Sequence, residues 1–244
     1  MKPVSSPQFQ TLKAPRQPIV AIDGPSGVGK STLSKLLANE LGFVNLDTGA
    51  MYRAVALAVA RRGLEPDDAI ALGRLADALA IEFVRNAGSE RVLLDGEDVS
   101  TAIRTPEISL LTSRVSACPA VREALVRKQR ELCARGGCVL EGRDIGTVVF
   151  PDAEVKFFLV ASAAERGRRR FLELQAKGVA VDLAKTVAEV EARDNHDSSR
   201  SHSPLYRAAD AVEIDTTDRG IDQVLAEMLR IIQLRQLATG SGQE

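Results

Sequence analysis

The chain has 244 residues, room for one large α/β domain or a core domain with a small insert. Hydrophobic residues make up 45% and charged residues 27%, and the formal net charge of −1 gives no global field that would favour nucleic acid. No apolar run approaches the roughly 20 residues of a membrane helix. Cys118, Cys133 and Cys138 form no C-x-x-C pair, which points to reduced structural thiols and a cytoplasmic protein.

Residues 1–17 are rich in Pro, Ser and Gln and lack the apolar stretch of a signal peptide, so a disordered tail is expected. Lys2, Lys13 and Arg16, with no acid among them, keep a transit peptide as the other reading. Pro18-Ile19-Val20-Ala21-Ile22 is a short β-branched run, the pattern of a buried strand. Gly24-Pro25-Ser26-Gly27-Val28-Gly29-Lys30-Ser31 follows, and it fits G-x-x-x-x-G-K-[ST]. Leu33, Leu36, Leu37 and Leu41 then fall on one helical face. The glycine loop therefore lies between a strand and a helix, the context that a phosphate-binding loop requires.

The chemistry of that loop is direct. Glycines let backbone N–H groups close around phosphate oxygens. The helix N-terminus adds partial positive charge. Lys30 reaches the β- and γ-phosphates, and Ser31 can ligate Mg²⁺. Residues Gly24 to Ser31, with Thr32 after them, are thus expected to bind a nucleoside triphosphate, ATP, with Mg²⁺.

A second short strand, 43–46, runs into Asp47-Thr48-Gly49-Ala50-Met51-Tyr52-Arg53. A helix is predicted over 54–62, and another from Pro66-Asp67-Asp68 to about residue 80. From Ile81 the period changes to that of strands, with Asp95-Gly96 as a tight turn before Glu97-Asp98-Val99. This predicts a small antiparallel insert. Helices follow over 104–116 and 121–135, then a strand, Cys138-Val139-Leu140, leading into Glu141-Gly142-Arg143-Asp144. Another strand spans 155–160. The helix predicted over 163–177 is basic, and its arginines, Arg166 to Arg170, are read as a lid closing on the triphosphate. A helix over 183–193 runs into a polar loop, 194–203, that contains His196 and His202, neither with metal-ligand spacing. A last strand, 211–215, and a last helix, 221–237, complete the chain. Strands alternating with helices imply a parallel sheet between two helix layers, with ligands beyond the C-terminal strand ends.

The polar clusters lie at such ends. Arg53, Arg104, Arg122, Arg143, Arg193 and Arg200 supply planar forks that match phosphate. Transfer between two anionic nucleotides needs that charge, because both phosphates repel and the migrating group is anionic. Aromatic residues are only 4% of the chain, so base-stacking platforms for nucleic acid are sparse. Asp47 is a candidate either for orienting Mg²⁺-bound water or substrate or for capping the helix from Thr48. The residues alone leave three readings: a kinase with a nucleotide acceptor, a metabolite kinase, and a nucleotide-dependent switch or RNA-associated NTPase. No guanine-specifying Asn-Lys-x-Asp motif supports the last.

The series Gly24 to Ser31, Leu46-Asp47-Thr48-Gly49-Ala50-Met51-Tyr52-Arg53, and Glu141-Gly142-Arg143-Asp144-Ile145-Gly146-Thr147-Val148-Val149-Phe150-Pro151 resembles the motif series of bacterial cytidylate kinases. Arg193-Asp194, Arg200, Ser203-Pro204-Leu205 and Ala208-Ala209-Asp210-Ala211 continue it, over roughly residues 18–233. The resemblance implies transfer of the ATP γ-phosphate to CMP or dCMP by a monomeric cytoplasmic enzyme that binds neither nucleic acid nor membrane. It implies a phosphate-loop domain over 18–237, with a monophosphate-binding insert at about 73–105, a lid at about 163–200 and a disordered tail over 238–244. Thr48 and Arg53 would face the monophosphate, Thr48 standing where the family often has Ser. Ser113, Arg122 and Asp144 would read the cytosine ring, and Asp197 would hold the sugar. Arg143, Arg193 and Arg200 would hold phosphates and, with Lys30, carry the catalysis. Glu141 stands where other members have Asp.

Overall fold

The computed structural model describes residues 16–86, 89–176, 178–200 and 202–240. The chain runs β1 (Ile19–Asp23), α1 (Lys30–Leu41), β2 (Val44–Asp47), α2 (Thr48–Arg62), α3 (Ala69–Ala78), β3 (Ile81–Asn86), β4 (Ser89–Leu94) and β5 (Glu97–Asp98). It continues through α4 (Pro106–Val115), α5 (Pro119–Leu132), β6 (Cys138–Gly142), β7 (Val155–Val160), α6 (Ala163–Ala176), α7 (Leu183–Ser199), β8 (Val212–Asp215) and α8 (Ile221–Gly240). Five strands form a parallel sheet in the order β2-β6-β1-β7-β8. Helices cover both of its faces, the three-layer arrangement that strand–helix alternation predicts.

The central strand explains the layering. β1 is buried along its whole length, and its side chains alternate between the two faces. Ile19 and Ala21 join one cluster with Met51 and Val55 of α2 and Val121 and Leu125 of α5. Val20 and Ile22 join the other with Leu33 and Leu37 of α1 and Val224, Met228 and Ile232 of α8. The register sets Asp23 beside Gly142 and Asp47 beside Glu141. The C-terminal ends of β1, β2 and β6 are therefore level, and the loops that follow them open on one side of the sheet.

The change of period at Ile81 corresponds to a separate antiparallel sheet, β3-β4-β5. Asp95 and Gly96 both have positive φ, 50° and 84°, the left-handed pair that a tight hairpin turn uses. Glu90 of β4 ties this sheet to the core: it accepts from Asn45 at 3.2 Å and pairs with Lys35 at 3.2 Å.

Several helix bounds differ from the sequence reading. α2 starts at Thr48 rather than at residue 54, because the Asp47 carboxylate accepts from Ala50 N–H at 2.9 Å and caps it. α4 starts at Pro106, capped by Thr105, after a short 3₁₀ turn, Ala102–Arg104. α5 opens at Pro119 but ends at Leu132, short of residue 135, and α8 runs on to Gly240. The largest correction is α7: it does not stop at Arg193 but continues to Ser199, so Asp194, His196 and Asp197 are helical rather than in a loop. The disordered tails expected over 1–17 and 238–244 fall for the most part outside the described residues. Within them, Gln17 holds a place, its carbonyl accepting from Gly137 N–H at 3.3 Å.

Candidate active site

The phosphate loop leaves β1 at Asp23 and enters α1 at Lys30. Gly24 has φ 146°, and a Cβ there would lie 2.2 Å from the carbonyl oxygen of Leu159 in β7, so no side chain fits. Gly29 caps α1 in the left-handed region, φ 95°. Lys30 is buried, and its Nζ donates to the Pro25 carbonyl at 2.5 Å. Burial, and then the neighbouring Arg143, push its ammonium well below the ordinary lysine range, while Glu141 and Asp23 pull the other way. Ser31 and Thr32 stand exposed on the first turn of α1.

Ser31 also reveals a residue whose role the sequence did not disclose. Its Oγ donates to Glu141 Oε2 at 2.9 Å, and Glu141 Oε1 is buried without a hydrogen-bond partner. Burial, and then Asp47 nearby, push the Glu141 carboxyl up to about 7. A hydroxyl and a half-satisfied buried carboxylate form a hard oxygen donor set beside the phosphate loop, which fits Mg²⁺. Among the described residues no group of three or more His, Cys, Asp or Glu side chains could hold a metal by itself, as is usual where Mg²⁺ is shared with phosphates and water.

At the end of β2, Asp47 takes the capping role of its two readings. It caps α2, and its other oxygen accepts from Arg53 Nη2 at 2.9 Å. Arg53 Nε is buried and unpaired. Thr48 is buried, and its hydroxyl donates to the Glu141 carbonyl at 2.6 Å, locking the start of α2 to the end of β6. Arg122 and Asp144 form an ion pair, with both side chains 7% exposed. Arg122 also donates to the Ser116 carbonyl at 3.2 Å and lies 5.4 Å above the Tyr52 ring centroid. Its Nε is buried and unpaired. Ser113 is half-buried on α4, one turn before Ser116, whose hydroxyl donates to the Ser113 carbonyl at 3.3 Å.

The third cluster centres on Asp197. Its carboxylate accepts from Arg143 Nε at 2.8 Å and pairs with Arg200 Nη2 at 2.5 Å. Arg193 stands exposed one turn earlier on α7, within electrostatic reach of Arg143, Arg53 and Arg170 and without a side-chain hydrogen bond among the described residues. The extension of α7 past Arg193 is what sets these charges on one helix face.

The arginines of the basic helix α6 divide between the phosphate loop and the surface. Only Arg166 turns to the phosphate loop, donating to the Ser26 carbonyl at 3.2 Å while pairing with Asp194. Arg168 and Arg170 pair with Glu165 and Glu173 on the surface. Arg169 binds Glu165 and donates to the Thr216 carbonyl at 2.5 Å. Local carboxylates at i±3 and i±4 and a nearby carbonyl hold these three, in exposed pairs that are individually weak. Arg104 likewise donates to the Ser100 carbonyl at 3.2 Å, away from the clusters above. All three cysteines are buried and free.

The site thus brings a phosphate loop, an arginine cluster and a buried Arg–Asp pair to one edge of the sheet. The sequence profile of cytidylate kinase matches residues 20–234. The chain belongs to the cytidylate kinase family. The cytidylate kinase of Syntrophotalea carbinolica is 65% identical over 221 residues, covering 91% of this chain and 94% of that protein. The cytidylate kinase of Geobacter sulfurreducens is 59% identical over 221 residues, covering 91% and 95%. That of Citrifermentans bemidjiense is 58% identical over 222 residues, covering 91% and 95%. Membership makes the chain a nucleoside monophosphate kinase, a phosphotransferase that uses nucleotides, and the metabolite-kinase and switch readings fall away. No helix among the described residues is long and apolar enough to cross a membrane.

Proposed function

We propose that the chain transfers the γ-phosphoryl group of ATP to CMP or dCMP, giving ADP and CDP or dCDP, as a Mg²⁺-dependent monomer in pyrimidine nucleotide metabolism. One observation carries the acceptor: the buried Arg122–Asp144 pair lies beside the arginines that surround Asp197. An amine donor meets Asp144, and a ring acceptor meets the unpaired Nε of Arg122. Cytosine carries both on one edge, with Ser113 in reach of the same α4 turn. Uracil presents an oxygen where cytosine has its amine, and Asp144 opposes it.

The chemistry asks little covalent work of the protein. An oxygen of the CMP phosphate attacks the γ-phosphorus, and the bond from that phosphorus to the β–γ bridging oxygen breaks. No protein nucleophile takes part, and a phosphate acceptor at neutral pH needs no general base. Residues Gly24 to Thr32 hold the donor phosphates through backbone N–H groups, with Lys30 on the β- and γ-phosphates. Arg53, Arg143, Arg193 and Arg200 hold the acceptor phosphate and the migrating group, and Asp197 orients two of these arginines while facing the sugar. Thr48 fixes the start of the helix that carries Arg53. Ser31 and Glu141 would hold Mg²⁺, which when bound neutralises charge between the β- and γ-phosphates. Placing the two nucleotides in line and excluding water supply the rest. Residues 73–105 serve as the monophosphate-binding insert and residues 163–200 as the lid.

A coupled ADP-release assay with ATP and Mg²⁺, offering CMP, dCMP, UMP, AMP and GMP in parallel, tests this reading. Strong turnover of CMP and dCMP, weaker UMP and negligible purines are expected. Turnover of none of them, despite ATP binding, would refute it.

A further inference from the structure

Asp23, the last residue of β1, has a duty that neither nucleotide explains. Its side chain is buried, 4% exposed overall. Its two carboxylate oxygens accept from the backbone N–H groups of Ile145 at 2.8 Å and Gly146 at 2.7 Å. Those two amides follow immediately on Arg143 and Asp144. The residue after Asp23 is Gly24, which opens the phosphate loop. One carboxylate thus joins the loop for the donor to the segment for the acceptor, across a sequence separation of 122 and 123 residues.

The surroundings make a purely structural role expensive. Lys30 and Asp144 act on Asp23 from α1 and from the segment itself, and the stem of Lys156 from β7 lies against the same face of Gly146 as the carboxylate. Among the described residues no side-chain cation hydrogen-bonds the carboxylate, and burial raises its pKa to about 6. An apolar residue would end a buried strand at lower cost. A carboxylate held by two amides instead fixes both the distance and the direction of the segment it holds.

We propose that Asp23 is a positioning residue for phosphoryl transfer: it clamps the 143–146 segment to the end of β1 and thereby sets Arg143 and Asp144 at a fixed distance from the phosphate loop. The proposal rests on the (d)CMP kinase reading above. It makes Asp23 matter to the acceptor although Asp23 borders the donor loop.

The test is steady-state kinetics of the full chain with CMP, UMP and ATP varied in turn. Asp23→Asn keeps the shape but points an amide donor at one of the two N–H groups. Gly146→Ala crowds the second amide, because its Cβ would lie 3.1 Å from Lys156 Cδ and touch Asp23 Oδ2 at 3.4 Å, so the amide or the Lys156 stem must give. In both variants KM for CMP should rise, by about tenfold in Asp23→Asn and less in Gly146→Ala, while KM for ATP stays within about twofold. The preference for CMP over UMP in kcat/KM should shrink by a similar factor. Equal rises for ATP and CMP, or no rise for CMP in either variant, would overturn the proposal. If Asp23→Asn does not fold, Asp23→Glu, which keeps the charge but displaces the carboxylate by one methylene, takes its place with the same expected and overturning results. A wild-type chain that fails to turn over CMP overturns the functional reading instead, so the two failures are distinct.

Discussion

Asp144→Ala separates recognition from stability in one substitution. In the folded chain Asp144 neutralises Arg122, and both side chains are 7% exposed. Breaking a buried pair by removing one partner costs about 3–5 kcal/mol, because a charge is left buried. Arg122 keeps its bond to the Ser116 carbonyl and its place over the Tyr52 ring, which together offset about 1–2 kcal/mol. A net loss of about 1–4 kcal/mol follows, which for a chain of this size lowers Tm by roughly 2–16 °C. The variant also loses a charge-assisted bond to the exocyclic amine of cytosine, worth about 1.5–3 kcal/mol, so KM for CMP should rise roughly 10- to 100-fold. KM for ATP should hardly move. Thermal melts of the free protein, together with KM for each substrate, read both effects. Adding Arg122→Met to Asp144→Ala should recover much of the Tm and none of the CMP affinity. An unchanged Tm, or an equal loss of ATP affinity, would refute the reasoning.

Three further outcomes follow from particular contacts. Glu141→Gln keeps an acceptor for Ser31 but removes the negative charge, so the Mg²⁺ concentration for half-maximal activity should rise by about tenfold or more; an unchanged Mg²⁺ titration would remove Glu141 from the metal site. Gly167→Ala would place a Cβ 2.3 Å from Val187 Cγ2, forcing α6 away from α7, and should cost about 1–3 kcal/mol in chemical denaturation and lower kcat; wild-type values for both would show that these helices do not need close packing. Burial alone would raise the Asp197 carboxyl, but Arg143 and Arg200 outweigh it and hold it below the ordinary range. A depressed carboxyl stabilises the fold at neutral pH and loses that contribution as pH falls below about 4. Tm of Asp197→Asn should therefore fall less steeply than wild type between about pH 5 and pH 3, and parallel curves would refute the assignment.

What could be read from the sequence was what depends on local spacing. The glycine loop, the strand before it and the helix after it are local, and so is the Asp95-Gly96 turn. The course of α7 was not legible, because residues 194–199 are polar and offer no apolar period. The helix persists there because Arg143, from a distant strand end, binds Asp197. The basic run in α6 shows the opposite limit: its arginines look free in sequence, yet Glu165, Glu173 and the Thr216 carbonyl hold three of them. Asp23 and Glu141 were hidden because their partners come from elements more than 100 residues away in the chain. Only the placement of β6 next to β1 brings Glu141 to Ser31 and Asp23 to Ile145.

The alternation along β1 has a consequence for how such a site can change. Four of the residues assigned to the acceptor, Thr48, Arg53, Ser113 and Arg122, ride on α2, α4 and α5, which bury their apolar side chains on the face of Ile19 and Ala21. The helix that carries Lys30 packs on the opposite face, with Val20 and Ile22. The sheet divides the two apolar clusters, and besides the strands only polar links such as Lys35–Glu90 and Arg166–Asp194 join the two sides among the described residues. A chain built this way can retune which monophosphate it accepts, or how freely that side opens, by substitutions confined to one compartment. The other compartment keeps the same grip on the nucleotide that every such variant would share.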